Sequence, residues 1–150
     1  MISEGELLWA PRREFAQASN LAVYMKWLGE TRGHSFSNYH ELCRWSGTDL
    51  EGFWSSIWDY FKIHSTTPYK QVLDRRVMPG AHWFEGSRVN YAEHLLRHEA
   101  GAAPGEVVFH HVSENRPLAT MTWHELGRQV RILATQLRAM GVVPGDRVVS

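Results

Sequence analysis

Residues 118–150 read LATMTWHELGRQVRILATQLRAMGVVPGDRVVS. LATMT (118–122) is a run of strand formers, and Thr122 with Glu125 has the spacing of a capping box, so a helix is expected to start there. Leu126, Val130, Leu133, Leu137 and Met140 recur at helical period and predict one apolar face. Gly141 stands where a C′ glycine ends a helix. Pro144-Gly145 then turns the chain, and DRVVS (146–150) begins a second strand. Strand, helix, glycine stop, turn and strand are the grammar of a right-handed βαβ crossover in a parallel sheet. Parallel sheets are covered by helices on both faces. Only one long amphipathic helix precedes the last strand, so the expected fold class is α/β, with residues 90–150 the beginning of a larger, incomplete domain.

Upstream the texture changes twice. At the head of 90–150, Asn90 is placed to cap a short helix carrying Tyr91, Leu95 and His98, with Glu93 at the third position. EVVFHHV (106–112) reads as a strand joined through SENRP to LATMT in a hairpin. Residues 63–89 look irregular, punctuated by Pro68, Pro79, Gly80 and Gly86. So long a loop is expected only where apolar residues pin it to a larger body, here Val72, Leu73, Met78, Trp83 and Phe84. Residues 1–62 read as a helical, tryptophan-rich extension. Ser19 or Asn20 caps a helix with Leu21, Tyr24, Met25 and Leu28 on one face, stopping at Gly33. A second helix is expected from Ser37 through Tyr39, Leu42 and Cys43 to near Gly47. Thr48 with Glu51 predicts a third, and Phe53, Trp54, Ile57, Trp58 and Phe61 give it an aromatic stripe that reads as core.

Composition narrows the function classes. Sixteen basic residues balance sixteen acidic ones. No concentrated basic face is available for nucleic acid or a membrane surface. The N-terminus lacks a signal-peptide pattern, and no apolar run approaches the ~20 residues of a membrane helix. The single Cys43 allows no internal disulfide, which fits a reducing, cytoplasmic setting. Seven tryptophans, five of them before residue 60, are the unusual feature.

Chemistry-bearing patterns are sparse. His94 and His98 have the i, i+4 spacing that can grip zinc, but His94 is followed by Leu95 rather than the glutamate of an HExxH motif, and no third ligand is suggested. His110 and His111 are neighbours on a strand and point to opposite faces. Cys43 reads as a small buried hydrophobe, and Arg75-Arg76 as an exposed or salt-bridged pair rather than an anion site. Thr120, Thr122 and His124 are read as a helix entry, with Trp123 tucked into the core. The glycine-rich phosphate loops and the GxSxG elbow are absent. No catalytic, cofactor-binding or metal-binding residue is assigned.

One longer pattern is more specific. VMPGAHWFEGSRVNYAEHLLR (77–97) resembles the stretch that precedes the adenylation domain of acyl-CoA synthetases, in the adenylate-forming superfamily. LLWAPRREFAQASNLAVYMKWL, FSNYHELCRWSGTDLEGFWSSIWDYF and YKQVLDRRVMPG are similar to the N-terminal extension of the acetoacetate–CoA ligase family. The 118–150 stretch is similar to the usual entry into the first subdomain. Glu85 stands where the family usually has Pro, and Val89 where it has Leu. The resemblance implies an AMP-forming ligase that uses Mg-ATP to activate a small carboxylate, with acetoacetate favoured over acetate or propionate, and passes it to coenzyme A. It implies that the ATP, magnesium and coenzyme A sites lie beyond residue 150 and that residues 1–150 alone are inactive. Trp83 and Phe84 are then expected to pin the extension onto the large domain. The competing expectation is a stand-alone tryptophan-rich binding module.

Overall fold

A computed structural model describes residues 3–6 and 8–149. The chain forms two compact units, residues 1–89 and 90–150. Helices and small sheets are mixed in an α/β composition.

The first unit contains α1 (Arg13–Gln17), α2 (Asn20–Arg32), α3 (Tyr39–Thr48), α4 (Leu50–Tyr60), β1 (Gln71–Leu73) and β2 (Trp83–Glu85). Ser19 caps α2, its hydroxyl accepting from the Ala22 N–H at 3.2 Å. Gly33 ends α2 at φ 70°, a conformation that favours glycine. Tyr24 and Leu28 of α2 are buried with Leu42 of α3, and Trp27, Phe36, Trp45, Phe53, Ile57 and Tyr60 pack around them. Leu28 is fully enclosed at 0% exposure. Ser56 of α4 is also buried, and its hydroxyl donates to the Phe53 carbonyl at 2.6 Å. That leaves the Tyr24 hydroxyl, 2.5 Å away, to donate to Ser56, so neither oxygen is orphaned. Burial raises the Tyr24 pKa above its ordinary value.

Four expectations for this unit need correction. Asn38, not Ser37, caps α3, through its side chain to the Glu41 N–H. Thr48 does not cap α4. Its hydroxyl donates back to the Arg44 and Trp45 carbonyls, as the last residue of α3. Asp49 caps α4 instead, accepting from the Gly52 N–H at 3.0 Å. The aromatic stripe of α4 is also divided. Phe53 and Ile57 face the core, Trp58 turns to Tyr69 and Phe84, and Trp54 and Phe61 are exposed. Finally, residues 63–89 are not wholly irregular. β1 and β2 pair antiparallel, with Gln71 opposite Glu85 and Leu73 opposite Trp83.

The second unit contains α5 (Tyr91–Leu96), a 3-10 turn (Arg97–Gly101), β3 (Val107–Ser113), β4 (Arg116–Thr122) and α6 (Trp123–Ala139). Asn90 caps α5 by accepting from the Glu93 N–H at 3.2 Å. β3 and β4 form the expected hairpin, with His110 opposite Thr120 and Ser113 opposite Arg116. Thr122 and Glu125 complete a reciprocal capping box at the start of α6. At its far end the Gly141 N–H reaches Arg138 and the Val142 N–H reaches Leu137, a Schellman closure around Gly141 at φ 91°.

The βαβ reading is only partly realised. Both sheets are two-stranded and antiparallel among the described residues. Residues 146–149 are not a strand, and Val148 and Val149 are exposed. A strand is stabilised by pairing, and DRVV has no pairing partner among the described residues. The local order here is therefore strand, strand, helix.

Candidate functional site

The aromatic surface of the first unit is built where α4 meets the β1–β2 hairpin. Helical spacing places Trp54 and Trp58 one turn apart on the same side of α4, and the hairpin brings Trp83 and Phe84 against them. Trp83 meets Trp54 edge-on at 5.8 Å between centroids. Phe84 lies 4.6 Å from Trp58 and 5.3 Å from Tyr69. Phe84 holds φ 49°, a left-handed conformation uncommon for a bulky residue. Packing against two rings fixes it there. The Trp83–Phe84 pair thus anchors the hairpin onto α4 within residues 1–89, a nearer partner than the large domain expected from the sequence. Trp83 is still 42% exposed.

Beside these rings lies an open cavity of about 380 Å³, lined by Leu50, Leu73, Val77, Met78, Pro79 and Trp83, with Arg75 and Arg76 at its border. The loop that forms its outer wall is stapled at its base. Asp74 and His82 exchange backbone contact through the Asp74 N–H to the His82 carbonyl at 3.1 Å. The Asp74 carboxylate accepts from the His82 N–H at 2.8 Å, and its other oxygen lies 3.0 Å from His82 Nδ1. The His82 backbone N–H, followed by its ring, holds the Asp74 pKa below the usual carboxylate range. Arg75 donates to the Gly80 carbonyl at 3.1 Å and pairs with Asp74 at 3.4 Å. Arg76 donates to the Thr48 carbonyl at 3.3 Å. The two arginines are structural ties of the loop.

The second unit holds one ionic group that the sequence reading passed over. The Glu99 carboxylate accepts two bonds from Arg131, at 2.7 and 2.9 Å, and lies 3.9 Å from His124 Nδ1. Its side chain is only 17% exposed. Arg131 lowers the Glu99 pKa, and Glu99 in turn raises that of Arg131. The carboxylate reaches α6 across Gly127, where a Cβ would overlap both of its oxygens. Nothing in the spacing of Glu99 and Gly127 signals this meeting, because it depends on how the 3-10 turn packs on α6.

The other candidates are not brought together. His94 belongs to α5 but His98 to the 3-10 turn, so the i, i+4 helical register is interrupted. His98 instead faces the Trp123 ring at 5.8 Å. His110 and His111 alternate along β3. Cys43 is exposed, contrary to the buried role expected of it, because α3 turns Leu42 rather than its neighbour into the core. Thr122 caps α6, and the Thr122 N–H, then its hydroxyl, lower the Glu125 pKa. Among the described residues no three His, Cys, Asp or Glu side chains gather as metal ligands, and no helix is long and apolar enough to cross a membrane. What the arrangement offers chemically is an apolar surface with fixed arginines, suited to burial against a partner.

The family model described as acetyl-coenzyme A synthetase N-terminus matches residues 39–95. That span runs from α3 through α4 and the hairpin to α5. Acetoacetyl-coenzyme A synthetase of Rhizobium meliloti (strain 1021) is 35% identical over 141 residues, which cover 94% of this chain and 21% of the relative. Acetoacetyl-CoA synthetase of Rattus norvegicus is 33% identical over 151 residues, covering 99% of this chain and 22% of the relative. The solved acetoacetyl-CoA synthetase from Streptomyces lividans superposes with a TM-score of 0.85 at 42% identity, over 95% of this chain and 22% of that one. The chain thus spans about a fifth of the length of the relatives it matches. Over nearly its whole length the chain is similar, in sequence and fold, to the N-terminal portion of acetoacetyl-CoA synthetases.

Proposed function

We propose that the chain is the N-terminal part of an AMP-forming acetoacetate–CoA ligase. The carboxylate of acetoacetate attacks the α-phosphorus of ATP and displaces pyrophosphate, giving an acyl-adenylate. The thiol of coenzyme A then attacks the acyl carbonyl, and AMP leaves with the bonding pair. Magnesium and cationic side chains stabilise the charge that develops on the phosphate. Residues beyond 150 supply these groups and bind ATP, magnesium and coenzyme A. Residues 1–150 touch no reacting atom and are inactive alone. Residues 1–62 form the tryptophan-rich extension, 63–89 the segment that anchors it, and 90–150 the opening of the adenylation domain. The setting is the cytoplasm, where Cys43 stays reduced.

The observation that carries the proposal is the 42% identity and 0.85 TM-score to the S. lividans acetoacetyl-CoA synthetase across 95% of the chain. The test is AMP release by the full-length protein with Mg-ATP, coenzyme A and a panel of acetoacetate, acetate and propionate. Acetoacetate is expected to give the highest kcat/KM. A higher value for acetate or propionate makes the protein a sibling short-chain ligase. No AMP with any acid sinks the ligase reading.

A further inference from the structure

The loop between Asp74 and His82 presents a contradiction that solvent exposure alone does not resolve. It is stapled by three hydrogen bonds between Asp74 and His82, and tied again through Arg75 to Gly80 and Arg76 to Thr48. A solvated turn needs no such fixing. Yet this rigid loop displays Met78 at 96% exposure, flanked by the half-exposed Val77 and by Pro79. Behind it stand Trp54 and Trp83, also exposed, and Leu50, which shares the cavity wall. Methionine, tryptophan and arginine with few lysines or acids are the composition of an interface centre, and contiguous exposed apolar surface with a polar rim marks one. Holding a loop in its bound shape lowers the ordering cost of docking.

The geometry points to this Met78–Trp83 knob as the surface that seats the first unit on the remainder of the synthetase chain, in an apolar socket rimmed by acidic groups. The inference rests on the ligase reading above. Two observations choose the occupant. The chain spans only about a fifth of its relatives, so most of a synthetase lies outside it. Asp74 pairs with Arg75, which leaves Arg76 as the net cation of the loop, so charge complementarity calls for a carboxylate at the socket rim.

The test is oxidation of Met78 by peroxide in the full-length protein without substrate. Trypsin releases residues 77–88, in which Met78 is the only methionine, so mass spectrometry reads it directly. Oxidation slower than in the urea-unfolded chain by at least about tenfold, at every protein concentration, is expected, because only open molecules react. Met78→Asp in the full-length protein is expected to lower the thermal midpoint by about 2–4 °C. The first unit itself loses no buried contact in that variant. Oxidation at the unfolded rate, or an unshifted midpoint in M78D, overturns the inference. Protection that disappears on dilution as sedimentation velocity shows a dimer separating also overturns it, in favour of a second copy. Met78 protection is read without turnover, so a failed acid panel and a failed socket are separate results.

Discussion

Gly127→Ala separates two opposed effects at one atom. Gly127 lies inside α6, where alanine is ordinarily better than glycine by about 1 kcal/mol. Here the added Cβ overlaps the Glu99 carboxylate, which Arg131 holds from the other side at 2.7 and 2.9 Å. The helix fixes the new atom, so the carboxylate must withdraw and give up its paired bonds. Overpacking of this kind costs about 1–3 kcal/mol. With the propensity gain set against it, G127A is expected to fall between neutral and about 2 kcal/mol destabilising. Glu99→Ala removes the obstacle, and in that background the same substitution is expected to stabilise by about 1 kcal/mol. Gly47, in α3, has open space where a Cβ would stand and serves as the control that should gain from alanine in any background. Urea unfolding followed by circular dichroism measures all of these, with the four proteins of the 127/99 cycle giving the coupling. If G127A stabilises the protein as much with Glu99 present as without it, the packing described at this site is wrong.

Leu28→Ala, at the fully enclosed centre of the first unit, should cost about 2–5 kcal/mol in the same unfolding measurement. Thr122→Ala should cost about 0.5–2 kcal/mol and speed amide exchange in the first turn of α6, since it removes the hydroxyl half of the capping box. Stability should also fall in acid with a defined sign. Glu99, Glu125 and Asp74 all have lowered folded-state pKa values. Their contribution is therefore complete above the unfolded carboxylate range of about pH 4 and is lost as the pH falls through the lower folded values. Glu99→Gln should flatten that acid limb, which unfolding midpoints measured from neutral pH downward will show.

Local chemistry was legible where a cap and its target lie three residues apart. Asn90 and the Thr122–Glu125 pair could be read directly, and the α2 cap to within Ser19 or Asn20, because each bond closes within one turn. Thr48–Glu51 has the same spacing but belongs to the preceding helix, since Asp49 one residue on is the stronger cap and leaves α3 and α4 separated by a single residue. The β1–β2 hairpin escaped notice because its strands are three residues each and its loop carries no two-residue turn signature. Its stability comes from Trp54, Trp58 and Tyr69, which meet it only in three dimensions. The division of the α4 stripe, the exposure of Cys43 and the Glu99–Gly127 contact are likewise decided by neighbours distant in the chain. The family was legible earlier than any site, because the 77–97 wording is specific while the residues themselves carry packing rather than chemistry.

Asp49 ends α3 through its N–H to Trp45 and starts α4 through its carboxylate, which also accepts from the Trp45 indole at 3.3 Å. One amino acid is thus the whole elbow, and it has no slack. Adding a single residue there would wind α4 on by about 100°. Phe53 and Ile57 would swing out of register with Tyr24, Leu28 and Leu42, and the tryptophans that receive the hairpin would face elsewhere. Length at this corner is therefore as tightly constrained as side-chain identity, and an insertion scan across 46–52 should find no tolerated position.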